Sequence, residues 1–194
     1  MNLMQDESEK APPLEGLAVL AIDLQPVFLE VVDDSNNFFK SCRFLFETVE
    51  LLGLPLYLTE QVPAKLGHTD DRLLDIAESA SVYAKDSFSA LGAPGLADSF
   101  STIGAEHLIL AGVETSICVY LTALEALSLG KDVTILSDCV SCRRPSDGDW
   151  ALRKLAVAGC HVLPLESVFY GIIGGADHPC FREFSKLTRQ RDRD

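Results

Sequence analysis

The sequence predicts a three-layer α/β/α sandwich built around a six-stranded, mainly parallel sheet. Short apolar runs alternate along the chain with longer segments whose apolar residues recur at helical spacing, and this alternation is typical of strands joined by helical crossovers. The apolar runs are almost continuous, as in strands that are buried on both faces. A chain of 194 residues, 47% of them hydrophobic and 23% charged, suffices to bury the core of one such domain.

Three of the strands are predicted in the first half of the chain. The first run stops at Asp23, and the helix after it is closed by Gly53, a residue typical of helix C-termini. A shorter helix precedes the third strand. The predicted strands are 16–22, 54–59 and 81–85, and the predicted helices are 37–52 and 70–79.

The second half of the chain repeats the alternation three more times. Ser146 is a suitable N-cap for one helix, and Gly159 ends the same helix. The segment 167–178, with three glycines, is predicted as a mobile loop. The strands are predicted at 107–113, 132–138 and 160–167, and the helices at 95–103, 116–130, 146–159 and 178–188.

The chain is predicted to form one domain at 14–188, between an acidic tail at 1–13 and a charged tail at 189–194. The net charge of −13 argues against nucleic acid and anionic membranes as partners, since both repel an acidic surface. The first residues lack the apolar segment of a secretion signal. The sequence therefore predicts a cytoplasmic protein, whose six cysteines are mostly reduced.

Side chains with complementary chemistry follow three of the predicted strands. Asp23 comes directly after the first strand, Lys85 ends the third, and Cys118 lies just past the fourth. The carboxyl ends of parallel strands share one edge, where ligands bind, so we expect these side chains to meet. A thiolate attacks carbonyl carbon, a carboxylate accepts the thiol proton and returns it, and the Lys85 ammonium adds positive charge. The set predicts a cysteine nucleophile.

The segment before Cys118 is suited to presenting that thiol. Gly112 allows a sharp backbone turn, and the polar residues 114–116 are expected at the mouth of a pocket. Cys118 would lie in the first turn of the helix predicted from residue 116, where the helix dipole favours an anion. We therefore expect a raised thiolate fraction, and first-turn N–H groups able to hold an oxyanion.

Four separated motifs resemble the isochorismatase-like cysteine hydrolases, and most closely their isochorismatase domain-containing branch. They are "IDLQPVF", "AKDSFSA", "AGVETSICVYLTALEAL" and the stretch from "LSDCVSC" to "FREFSKL", and the resemblance covers about 14–188. It implies a Rossmann-like sheet and a catalytic triad of Asp23, Lys85 and Cys118 that forms a covalent acyl intermediate on the cysteine. It also implies a cis peptide before Glu114, oxyanion donors at the N–H groups of Glu114 and Cys118, and a homo-oligomer, dimeric or tetrameric.

Two departures from the family narrow the expected chemistry. The nicotinamidase branch binds a metal through one Asp and two His residues after the second strand, whereas His68 stands alone there. No metal and no cofactor are therefore expected. True isochorismatases cleave a vinyl ether and lack the cysteine, so Cys118 favours hydrolysis of a small amide or related acyl compound. In relatives the segment after Asp23 lines the pocket; the predicted substrate-binding residues are Gln25, Phe28, Gln61 and Tyr170.

Two other functions remain open from the sequence. Cys139 and Cys142 form a C-x-x-C pair that suits redox chemistry or a metal, although it follows the fifth strand and has no second ligand pair at zinc spacing. A catalytically silent scaffold that kept the fold is the other alternative. Selective labelling of Cys118 by a thiol electrophile distinguishes a reactive site from a scaffold.

Overall fold

The computed structural model describes residues 15–77 and 79–191. Within them six parallel strands form a single sheet in the order β3-β2-β1-β4-β5-β6. The strands are β1 (Leu17–Ile22), β2 (Leu56–Gln61), β3 (Ser81–Lys85), β4 (His107–Val113), β5 (Asp132–Ser141) and β6 (His161–Leu163). The chain leaves β1 toward β2 on one side and continues from β4 toward β5 on the other. A crevice for ligands therefore forms at the carboxyl ends of β1 and β4.

Helices flank the sheet and confirm the predicted fold class. They are α1 (Pro26–Leu29), α2 (Ser35–Leu52), α3 (Pro63–Leu66), α4 (Asp71–Leu74), α5 (Leu96–Thr102), α6 (Tyr120–Ser128), α7 (Pro145–Ala158), α8 (Leu165–Ile173) and α9 (Phe181–Arg191). A 3₁₀ turn spans Ala90–Gly92, and a π-helical turn spans Thr115–Val119. In the described part of the chain, no helix has the length and apolar character needed to cross a bilayer.

Both faces of the central strands β1, β2 and β4 are buried, as their continuous apolar runs predict. Along β1, Val19 and Ala21 belong to one hydrophobic core, and Ala18, Leu20 and Ile22 belong to the other. This alternation follows from the two-residue period of a strand. The central strand is thereby fixed from both sides, and the residue that follows it has little freedom to move.

Gly112 brings the ends of β1 and β4 together. It pairs with Ile22 in the ladder and has a φ of 111°, a conformation that side chains other than glycine rarely adopt. A Cβ atom at this position would lie 2.1 Å from the Ile22 carbonyl oxygen. Only glycine therefore permits this close approach just before the turn that contains Cys118.

The structure departs from the predicted elements in its second half. The helix predicted from residue 116 begins with the π-helical turn, and β5 continues past Asp138 through a bulge to Ser141. Most of the predicted loop 167–178 is instead helix α8, and β6 is shorter than predicted. Helix α9 runs to Arg191, within the predicted tail at 189–194, while the predicted tail at 1–13 lies outside the described residues.

Candidate active site

The fold brings the three predicted catalytic side chains into one buried cluster. Asp23 follows β1, Cys118 lies in the π-helical turn after β4, and Lys85 ends β3 and reaches past β2 toward them. The Lys85 Nζ atom lies 2.7 Å from the Asp23 Oδ2 atom and 3.8 Å from the Cys118 Sγ atom. Two charged groups of opposite sign and a thiol therefore meet at the carboxyl edge of the sheet.

Asp23 is held on both sides of its carboxylate. The Thr59 hydroxyl donates a hydrogen bond of 2.9 Å to Oδ1, while Lys85 donates to Oδ2. The Asp23 backbone N–H donates to the Thr59 carbonyl at 3.0 Å. Burial raises the pKa of Asp23 above its usual value, and the neighbouring Lys85 ammonium opposes that rise. The carboxylate is thus more basic than a solvated one, which suits a group that must accept a proton.

Lys85 is fixed by acceptors that use all three of its N–H groups. They are Asp23 Oδ2, Gln61 Oε1 at 2.5 Å and the Ser87 carbonyl at 3.1 Å. Gln61 is in turn oriented by its amide nitrogen, which donates to the Asp86 carbonyl at 3.1 Å. These three oxygens are closer to Nζ than the Cys118 Sγ atom is, at 3.8 Å, so Lys85 acts on Cys118 chiefly through its charge.

The Cys118 thiol is protonated in the resting site. The residue is 8% exposed, and burial raises the pKa of the thiol to about 12. The Asp23 carboxylate raises this pKa further, whereas Lys85 and a hydrogen bond from the Glu114 backbone lower it. The expected rise in thiolate fraction is therefore not found at rest, because desolvation outweighs the neighbouring positive charge. The Asp23 carboxylate is the basic group next to the thiol, since both contact the Lys85 Nζ atom.

The turn that presents Cys118 is organised around Glu114. The Val113–Glu114 peptide bond is cis. The Glu114 carbonyl accepts hydrogen bonds from the N–H groups of Ile117 at 3.0 Å and Val119 at 3.2 Å. These contacts close the turn, and Glu114 and Cys118 both line the cavity beside it.

A cavity of about 330 Å³ opens above the cluster. Asp23 and Cys118 contribute to its lining, as do two of the predicted substrate-binding residues, Gln61 and Phe28. Much of the remaining lining is apolar: Val27, Val31, Phe88, Val113 and Ile117. The volume suits a small organic molecule.

The other two predicted substrate-binding residues lie elsewhere. Gln25 is fully buried, and its amide nitrogen donates to the carbonyls of Gly67 at 2.6 Å and Gln61 at 3.1 Å, while its oxygen accepts from the Gln61 N–H at 2.7 Å. Its polar atoms are therefore used to join the loop after β1 to the loop after β2. Tyr170 lies on α8 with its ring edge-on to Phe184, at a centroid distance of 4.9 Å, and does not line this cavity.

Sequence reasoning missed Arg143, which lines the cavity together with Glu114, one of the polar residues expected at its mouth. The Arg143 Nε atom donates to Glu114 Oε1 at 2.7 Å, and the Arg143 backbone N–H donates to Oε2 at 3.2 Å. Arg143 follows the end of β5 at Ser141. If the predicted strand had extended to Ser141, Arg143 would also have been recognised as a residue just past the carboxyl end of a parallel strand, where ligands bind.

The C-x-x-C pair is not closed by a disulfide in the structure. Cys139 and Cys142 both carry free thiols, and the Sγ atom of Cys139 contacts the Ser41 carbonyl while that of Cys142 contacts the Arg144 carbonyl. In the residues that the structure describes, no group of three or more His, Cys, Asp or Glu side chains is arranged to hold a metal ion. Asp138, predicted to end β5, instead accepts hydrogen bonds from the Leu165 N–H and Arg191, at 2.8 and 2.7 Å.

Comparison with known proteins shows the family to which this chain belongs. Residues 17–167 match the isochorismatase domain, so the chain is a member of the isochorismatase family. Isochorismatase domain-containing protein 2 of Danio rerio is 32% identical over 89% of this chain and 87% of its own length. The chain spans 59% of the length of two other curated relatives that it matches.

Solved structures agree with this assignment. The MAR1 ribonuclease of Caenorhabditis elegans is 30% identical, with a TM-score of 0.84 over 91% of this chain and 92% of that one. The YcaC gene product of Escherichia coli, an octameric hydrolase of unknown specificity, shares the fold at 21% identity, with a TM-score of 0.75 over 94% of this chain and 98% of that one.

Proposed function

We propose that the chain is a cysteine-dependent hydrolase of a small amide or related acyl compound, acting through a covalent intermediate on Cys118. The observation that carries this proposal is the position of the Lys85 ammonium, buried against both the Asp23 carboxylate and the Cys118 thiol beneath a small, largely apolar cavity. A buried acid, base and nucleophile in mutual contact are costly to fold and are characteristic of catalytic sites.

In the first half of the reaction the Cys118 sulfur attacks the substrate carbonyl carbon while its proton passes to Asp23. Because the pKa of the thiol is about 12 at rest, proton transfer accompanies the attack rather than preceding it. The carbonyl oxygen becomes an oxyanion, which the backbone N–H groups of Glu114 and Cys118 are proposed to bind. As the C–N bond breaks, Asp23 returns the proton to the departing amine, and an acyl thioester remains on Cys118.

In the second half, water hydrolyses that thioester. Asp23, again ionised, removes a proton from a water molecule as its oxygen attacks the acyl carbon. The C–S bond then breaks, the acid product leaves, and the cysteine sulfur recovers the proton from Asp23. Lys85 is bonded to Asp23 throughout and keeps the carboxylate oriented, and its positive charge balances the negative charge that moves between oxygen and sulfur.

The ribonuclease named among the similar structures suggests a phosphodiester as an alternative substrate. The residues of this chain favour the acyl compound, because the cavity is about 330 Å³ and largely apolar, and the net charge of −13 repels a nucleic acid backbone. We also propose that the chain assembles as a homo-oligomer, in keeping with the octameric neighbour of the same fold.

The proposal is tested by measuring ammonia release from a panel of primary amides of small aliphatic and aromatic acids. The wild-type protein is expected to turn over part of the panel, and Cys118→Ala is expected to lower kcat by about 10⁴-fold or more, since the nucleophile is removed. Cys160→Ala provides the control, because Cys160 is equally buried but lies outside the cavity lining. Its activity should stay within about twofold of the wild type.

Two results would overturn the assignment. Ammonia release that survives in Cys118→Ala would remove the nucleophile from the mechanism. Inactivity of the wild-type chain on every amide and ester would favour the silent scaffold. A short oligoribonucleotide included in the panel, analysed for cleavage products, would identify a nuclease directly.

A further inference from the structure

Arg143 is a positively charged residue that lines the cavity and takes no part in the proposed reaction of Asp23, Lys85 and Cys118. It lies two residues beyond the end of β5 and shares the cavity lining with Cys118. Glu114 fixes it twice, by accepting from the Arg143 Nε atom at 2.7 Å and from the Arg143 backbone N–H at 3.2 Å. The guanidinium is therefore held in one orientation, by the residue whose carbonyl closes the turn that contains Cys118.

The terminal nitrogens of Arg143 are available to a ligand. Among the residues that the structure describes, Nη1 and Nη2 have no hydrogen-bond partner, because the contact with Glu114 uses Nε. The two terminal nitrogens of a guanidinium present parallel N–H donors that match the two oxygens of a carboxylate. The side chain is 58% exposed, so the group remains accessible from the cavity mouth.

The charges around the cavity set the direction in which an anionic substrate would lie. Asp23 at its base carries a negative charge that Lys85 pairs with, and Glu114 at its wall is paired with Arg143 through Nε and the backbone N–H. The Nη1 and Nη2 donors of Arg143 are therefore the ones left to attract a second carboxylate. A second cavity, of about 430 Å³, shares Glu114, Ile117 and Arg143 with the first and continues outward past Arg144. The apolar section between the two ends suits a short carbon chain.

We propose that Arg143 is a specificity residue that binds a carboxylate at the far end of the substrate, so that the substrates are half-amides of short dicarboxylic acids. This inference rests on the proposed function: the amide carbonyl faces Cys118, the methylene chain lies against the apolar wall, and the acid group pairs with Arg143. Glu114 orients the guanidinium and so sets the distance between the carboxylate and the reacting carbon.

The test compares half-amides of dicarboxylic acids, in a series of increasing chain length, with methyl-terminated amides of matching chain length. In Arg143→Met, kcat/KM for the half-amides is expected to fall by about 10- to 100-fold, as for the loss of a charge-assisted hydrogen bond. The methyl-terminated amides should change by less than about twofold. Arg189→Met is the matched control, since Arg189 is exposed on α9 and lines neither cavity; it should leave both series unchanged.

Binding is measured separately by titrating Cys118→Ala with both series in a calorimeter. If Cys118→Ala binds the half-amides and the added Arg143→Met substitution abolishes that binding, Arg143 binds the carboxylate. This result would support the role of Arg143 even if no substrate were turned over, and only the proposed hydrolysis would then fail. Equal losses for the two series, or no loss for either, would overturn the assignment of Arg143 while leaving the cysteine mechanism intact. Circular dichroism of each variant shows whether it has folded.

Discussion

Replacing Asp23 by asparagine is expected to move two properties of Cys118 in opposite directions. Asparagine keeps the shape of the side chain but cannot accept the thiol proton, so turnover should fall by about 10²- to 10⁴-fold, the usual contribution of a general base. The same change removes a negative charge that raises the pKa of the Cys118 thiol and leaves Lys85, which lowers it, in place. The resting thiol should therefore become more reactive while the enzyme becomes less active.

The size of the second effect follows from the geometry. The Asp23 carboxylate and the Cys118 sulfur both contact Lys85 Nζ, at 2.7 and 3.8 Å, so they lie no more than about 6.5 Å apart, the total of the two distances. With an effective dielectric constant of about 20, two unit charges at that separation repel by about 2.5 kcal/mol, which is roughly 2 pKa units. The thiolate fraction at pH 9 would rise about a hundredfold, and the lower nucleophilicity of a less basic thiolate reduces the gain in labelling rate to about tenfold.

The assay is the rate of iodoacetamide labelling of Cys118 at pH 9, followed by peptide mass spectrometry. Cys180, the one described cysteine that is not fully buried, serves as the internal reference, and Asp147→Asn controls for the loss of a surface carboxylate on α7. Loss of the partner of a buried ammonium costs about 3–5 kcal/mol of stability, so a thermal melt must first show that the variant is folded. Labelling that falls together with turnover would refute the reasoning, because Asp23 would then be maintaining a preformed thiolate.

Two further predictions concern stability. Gly112→Ala should lower the free energy of unfolding by about 2–5 kcal/mol, because the new Cβ would meet the Ile22 carbonyl oxygen at a strained φ. Urea unfolding measures this change, and the control is Gly171→Ala, which lies in open space on α8 and is expected to be neutral or stabilising. Equal effects of the two substitutions would contradict the packing argument. Because the folded pKa of Cys118 is about 12 against a reference value of 9.0, the native state keeps a proton that the unfolded chain loses. Stability should therefore fall between pH 9 and 12 by about 3 kcal/mol more in the wild type than in Cys118→Ala. Parallel pH profiles for the two proteins would count against the assigned shift.

The sequence predicted the strands of the sheet well where each was a short apolar run. The bounds of β3 and β4 match the prediction, and the residues that follow those runs are the ones that meet at the site. The reason is physical: a parallel sheet places the carboxyl ends of all its strands on one edge. Residues that end or follow different strands are therefore expected to lie near one another. Asp23, Lys85 and Cys118 could be grouped from the sequence for this reason alone.

The misses arise where tertiary contacts satisfy a polar or flexible residue. Asp138 was predicted to end β5, but it accepts hydrogen bonds from Arg191 and from the Leu165 N–H at the start of α8, and the strand continues past it. Arg143, which follows the true end of the strand, was therefore overlooked. Gly171 suggested a loop, although Leu165, Phe169 and Ile173 recur at helical spacing and are buried. Sequence reasoning also could not weigh the effect of burial on Cys118. Burial raises the pKa of this thiol by more than the positive charge of Lys85 lowers it.

The central claim is that Cys118 carries the acyl group during turnover. The most direct measurement mixes the wild-type protein with the best amide substrate, quenches the reaction in acid within milliseconds, and determines the intact mass and the modified peptide. The account predicts an adduct equal in mass to the acyl group, on Cys118 alone, absent from Cys118→Ala and retained in Cys160→Ala. Turnover with no adduct at any quench time, or an adduct on another cysteine, would contradict it.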